Sequence, residues 1–233
     1  MSDSDIPKVN PWTVWVLIFI MLSGILVYYS WLKTVHRQYG DGKPPLLRPV
    51  DRFRADGHNG KPVELFDTKN KFYLVGYFYA GDKKEALAVC ERMKKMRDTI
   101  PEVKNISLVG FSMAPELDNT KKLSKFANDN GYTSEEWIFV TGDRDRIRTY
   151  MNEFFRYPGH QKPDEYRETE TDLYARELRI SLVFQSDDDE EAFIRGVYWE
   201  GIRKGEVKND SNVKDDITYL VNQKNINPKK QVE

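Results

Sequence analysis

Three regimes of hydrophobic patterning divide the 233-residue chain. The first, Pro11 to Leu32, reads PWTVWVLIFIMLSGILVYYSWL and carries no charged residue. At about 1.5 Å of rise per residue, a helix of that length crosses the roughly 30 Å hydrocarbon core of a bilayer. Trp12, Trp15, Tyr28, Tyr29 and Trp31 sit near its two ends, where an aromatic belt belongs. A buried core helix would show a polar face, and none is present. A cleaved signal peptide would be shorter and end in small residues, but Ser-Trp-Leu-Lys follows Tyr29. The expectation is an uncleaved anchor over residues 11–32, behind a short tail of residues 1–10.

The second regime, residues 33–51, contains Gly40, Gly42, Pro44, Pro45 and Pro49 without apolar periodicity and reads as a linker. The third, residues 52–224, alternates strand and helix patterns. Phe53 to Leu65 has the form of a hairpin with Asn59-Gly60 at its turn. Phe72 to Ala80 and Ile106 to Met113 are nearly continuous apolar runs, the pattern of strands covered on both faces. Between them Ala86, Val89, Met93, Met96 and Ile100 recur at helical spacing, and Pro101 ends the run. A helix from Asn119 or Thr120 to Gly131 points Leu123, Phe126 and Ala127 inward, a short strand covers Trp137 to Val140, and Gly142-Asp143 opens a helix reaching Phe155. The polar stretch from Arg156 to Arg176 is an excursion. Strands at Ile180–Gln185 and Phe193–Trp199 then form a hairpin, and Val213 to Asn222 a closing helix. Residues 225–233 read as a tail. The order βαβα…ββα is that of an α/β, thioredoxin-like fold behind a single transmembrane helix.

Composition narrows the chemistry. A net charge of -1 argues against nucleic-acid binding, which needs a cationic surface. A single cysteine excludes an intramolecular disulfide and any paired-cysteine cluster. The junction KFYLVGYFYAGDKKEALAVCERMKKM, Lys71 to Met96, is where thioredoxin-like domains keep reactive cysteines, yet none appears before Cys90. Cys90 could serve as a lone redox thiol, but its place on the edge of the apolar stripe favours a small buried hydrophobe. Asp82 with Glu85 could be a carboxylate pair; a helix cap of capping-box type is the simpler reading. His36, His58 and His160 are too scattered for a metal site and are expected in exposed loops. The acidic run Asp187 to Glu191 lacks the spaced ligands of a calcium loop and reads as a solvated turn. Lys83 and Lys84 beside Gly81 could receive an anion, though a solvated turn is favoured. Tyr73, Tyr77, Phe78 and Tyr79 are expected in the core, whereas Tyr198 and Trp199 could be either packed or a contact surface.

Four segments then resemble the SCO/SenC family, membrane-anchored thioredoxin-like proteins that help assemble the copper centre of cytochrome oxidase. Phe53-Arg-Ala-Asp-Gly-His-Asn-Gly-Lys-Pro-Val63 is similar to the family's opening hairpin. Ser112-Met-Ala-Pro-Glu-Leu-Asp-Asn-Thr120 is similar to its Ser-x-Asp-Pro-x-x-Asp-Thr element, Trp137 to Gly142 to its third-strand Thr-Gly, and Ile194 to Gly201 to the second strand of its C-terminal hairpin. The resemblance extends over about Arg52 to Asn222. It implies copper ligands at a Cys-x-x-x-Cys in the strand-helix turn and at a distant His, because soft thiolate and imidazole donors suit copper. Registered on Tyr77-Phe78-Tyr79, those cysteine positions hold Asp82 and Ala86, and the His position falls near Glu177.

The resulting expectation is a non-catalytic, membrane-tethered assembly factor with no cofactor, no catalytic residue and no metal site of family type. Its partners would be the lipid bilayer, through residues 11–32, and a membrane protein. Two alternatives stand beside it: a peroxiredoxin-like enzyme using Cys90, and metal delivery through oxygen ligands at Asp82 and the Glu177 region. Counted literally, Lys8 before the anchor against Lys33, Arg37, Lys43 and Arg48 after it places the domain in the cytoplasm. The resemblance implies the extracytoplasmic side, which is the expected placement.

Overall fold

The computed structural model describes residues 10–40, 44–157, 179–198 and 211–226. They form two compact units, residues 1–43 and 44–233. The first is one helix, α1 (Pro11–Gly40). Its segment Trp12–Ser30 is long and apolar enough to cross a membrane, and none of it is buried. The helix continues past Leu32, into residues expected as linker.

In the second unit the strands are β1 (Arg48–Val50), β2 (Phe53–Gly57), β3 (Pro62–Leu65), β4 (Phe72–Phe78), β5 (Ile106–Ser112), β6 (Trp137–Thr141), β7 (Ile180–Phe184) and β8 (Ala192–Tyr198). The helices are α2 (Lys83–Asp98), α3 (Thr120–Asp129), α4 (Arg144–Phe155) and α5 (Ser211–Ile226). One mixed sheet joins the strands in the order β1-β8-β7-β4-β5-β6-β2-β3. β4, β5 and β6 run parallel, and β7 pairs antiparallel with β4. The two apolar runs thus become neighbouring central strands, buried on both faces, as parallel strands require.

β1 corrects the sequence reading. Arg48–Val50 pairs with Ile194–Ala192 at the sheet edge, so the expected linker ends in a strand. Three residues carry too little alternation to reveal a strand. Pro49 is tolerated there because an edge strand has one unpaired side.

Each sheet face has its own core. On one, Phe72, Leu74 and Phe78 meet Val89 and Met93 of α2, Leu123 and Phe126 of α3 and Ile217 of α5. On the other, Tyr73, Val75 and Tyr77 share a core with Phe53 and Phe66 and with Ile147, Met151 and Phe155 of α4. Gly76, paired with Gly110 in the register, lets α2 lie close on the sheet: a Cβ there would stand 2.7 Å from Val89 Cγ1. The sequence-predicted helices keep their positions because side-chain caps fix their starts. Asp82, Asn119 and Asp143 each accept a backbone N–H three residues on.

Candidate functional site

The junction from β4 to α2 is a tight turn closed by its own backbone. Asp82 N–H donates to the Tyr79 carbonyl at 3.1 Å, and Ala86 N–H donates to the Asp82 carbonyl at 2.9 Å. Asp82 Oδ1 accepts the Glu85 N–H at 3.1 Å, so the carboxylate caps the helix. A Cβ on Gly81 would stand 2.1 Å from Tyr79 Cζ, so the ring folds over a residue that must be small. Ala86 is fully buried in the core beneath the helix.

A second loop locks this turn from the side. Asp118, wholly buried, accepts the Ala80 N–H at 2.8 Å and the Ser112 hydroxyl at 2.9 Å on one oxygen, Oδ2. Its Oδ1 lies 3.1 Å from Lys122 Nζ, one turn along α3. Lys122 also stands 5.1 Å above the Tyr79 ring, a cation–π distance. Burial raises the Asp118 carboxyl above its ordinary range, against the opposing pull of Ala80, Ser112 and Lys122. Asp118 and Ser112 stand in the Ser112-to-Thr120 segment, so the sequence marked the loop. Their function as a brace rests on a contact 38 residues away, which no local pattern encodes.

The remaining candidates separate. Cys90 is fully buried on the core face of α2, among Ala86 and Met93, and burial, aided by Glu91, pushes its thiol up. A reactive cysteine needs access and thiolate character, and this position offers neither. Lys83 and Lys84 are exposed. Tyr73, Tyr77, Phe78 and Tyr79 are all core residues. Tyr198 is packed rather than exposed, its hydroxyl donating to Asp216 Oδ2 at 2.7 Å. The acidic turn is partly engaged: Asp189 Oδ2 accepts the Ser186 N–H and Asp187 Oδ1 accepts from Asn70.

His58 corrects an expectation. Instead of an exposed loop histidine, it is half-buried at the end of β2. Its backbone N–H donates to the Phe139 carbonyl at 2.8 Å, and the Phe139 N–H donates to His58 Nδ1 at 3.3 Å. Burial lowers its pKa against an opposing pull from the Phe139 backbone. Glu177, His160 and Trp199 and the side chain of His36 lie outside the described residues.

A thiolate copper site does not fit these residues. Ala86 offers a methyl group, Asp82 offers a hard oxygen already engaged as a cap, and the one thiol faces the core. Among the described residues, no three His, Cys, Asp or Glu side chains gather as a metal-binding group. The contacts of Asp118 tie the β4–α2 turn to the loop after β5.

The fold and this junction define a thioredoxin-like domain. The family model for SCO1/SenC matches residues 46–191, more than half of the chain, and the chain belongs to that family. The match begins at the edge strand β1 and stops before β8, so the Ile194–Gly201 likeness lies beyond it. The "SCO1 protein homolog" of Bacillus subtilis (strain 168) is 29% identical over 105 residues, 43% of this chain and 52% of that relative. The chain thus aligns with about half of that relative's length. A SCO1/SenC family lipoprotein from Bacillus anthracis str. Ames shares the fold at a TM-score of 0.57 and 20% identity, over 76% of this chain and 97% of its own. BsSco, described as a member of the Sco family of cytochrome c oxidase assembly proteins, does so at 0.53 and 20%, over 77% and 97%.

Proposed function

We propose that this chain is a membrane-tethered SCO-family assembly module that acts by contact with a membrane-protein partner, without thiolate copper chemistry or thiol-disulfide exchange. The observation carrying the reading is the junction itself. Where the resemblance puts two cysteines, Asp82 caps α2 and Ala86 is buried beneath it. Family membership and the description of BsSco as an assembly protein support a respiratory oxidase as the partner system. The apolar helix α1 supports anchoring through residues 11–32, with the domain on the extracytoplasmic face by family likeness.

The test is genetic and biochemical together. Deleting the gene from its host lowers the amount of assembled oxidase, and a Cys90→Ala chain restores it in full. Restoration that fails with Cys90→Ala, in a chain that accumulates normally, overturns the reading in favour of single-thiol chemistry.

A further inference from the structure

Away from the junction, the turn between β2 and β3 and the outer side of α3 line a cleft of about 480 Å³ that is open to solvent. Its lining includes His58, Asn59, Lys121, Ser124, Lys125 and Asn128. Among the described residues, the side chains of Lys121, Ser124 and Asn128 form no hydrogen bond or ion pair. Every one of these groups can donate. His58 adds another donor: its Nδ1 accepts the Phe139 N–H, which leaves the ring proton on Nε2. The one carboxylate in the lining, Asp129, is already held by Lys125 at 2.7 Å. That pair is largely exposed, so exchanging Asp129 for another carboxylate costs little. A small-molecule cofactor site is enclosed and mostly apolar. This cleft is open to solvent instead.

We infer that the cleft between the β2–β3 turn and α3 docks an acidic peptide segment of a partner protein, whose carboxylates meet Lys121 and Lys125 and whose remaining acceptors meet Ser124 and Asn128. The charge complementarity is local, since the chain as a whole carries a net charge of -1. Attraction of this kind sets encounter rate and specificity, and weakens with salt. The inference deepens the contact-module reading and rests on it, yet the two fail separately, because restoration by the Cys90→Ala chain does not involve the lysines of α3.

The full chain, in nanodiscs of neutral lipid, is titrated against fluorescein-labelled hexaglutamate at low ionic strength, with anisotropy as the readout. Saturable binding is expected, weakened more than about tenfold by Lys121→Glu/Lys125→Glu. Lys121→Arg/Lys125→Arg retains it, and Lys83→Glu/Lys84→Glu, the same charge change at α2, leaves it unaltered. Circular dichroism and the Arg variant separate loss of the cleft from loss of the fold. The inference is overturned by absence of binding, or by equal losses in the two Glu variants. It is equally overturned if phosphatidylglycerol vesicles displace the peptide through the same lysines, which would assign the cleft to lipid headgroups.

Discussion

Asp118 reaches back across 38 residues to accept the Ala80 N–H at 2.8 Å, joining the loop after β5 to the turn before α2. The bond gives a buried carboxylate its place and gives the turn its rigidity. Removing it leaves the Ala80 N–H and the Ser112 hydroxyl without their buried acceptor. Asp118→Ala is expected to lower stability by about 3 kcal/mol, while Asp118→Asn, which keeps an oxygen for Ala80, costs less. Urea unfolding followed by tryptophan fluorescence measures both. Equal, near-zero losses would remove the brace from the account.

The same carboxyl gives a pH signature. Its folded pKa lies above its ordinary value of 3.8, so the native state holds this proton over a window where the unfolded chain has lost it. The native state then binds more protons than the unfolded one, and the contribution of Asp118 to stability falls as pH rises through that window. It is fully present below 3.8. The difference in unfolding free energy between the native chain and Asp118→Asn therefore shrinks as pH rises from about 4. A difference that grows over the same range would show that the ion pair with Lys122 outweighs burial.

Cys90 is expected to be inert in the folded state. Modification by a thiol reagent at neutral pH should be at least about a hundredfold slower than in the denatured chain, because the reagent needs an exposed thiolate. Replacing it with Ser, which sets a hydroxyl among apolar neighbours, costs about 1–3 kcal/mol. Rapid labelling of the native chain would contradict the packing described for α2.

Gly76 offers a test of how closely α2 lies on the sheet. The Cβ of Gly76→Ala would press on Val89 at 2.7 Å, in a core with little room to relax. A loss of about 1–3 kcal/mol is expected from overpacking. The double variant Gly76→Ala/Val89→Ala should recover part of it, and a cycle without coupling would refute the contact.

The central strands and the helix starts were legible because each rests on local chemistry. Phe72–Phe78 and Ile106–Ser112 are unbroken apolar runs, and Asp82, Asn119 and Asp143 are capping residues just ahead of helical patterns. What was hidden depends on distant partners. Arg48–Val50 becomes a strand only because β8 offers an edge. His58 is half-buried because Phe139 lies beside it on β6. Arg92, in a run of charges, is buried on α2. At the junction, the carboxylate that braces the turn emerged only from the fold, because its partner Ala80 lies 38 residues away.

The most direct test of the account is a Cu(I) titration of the full chain against a competing chelator, with an Asp82→Cys/Ala86→Cys variant alongside. The account predicts no stoichiometric, tight binding by the native chain. One equivalent of Cu(I) held tightly by the native chain, with its two junction residues unchanged, would contradict it.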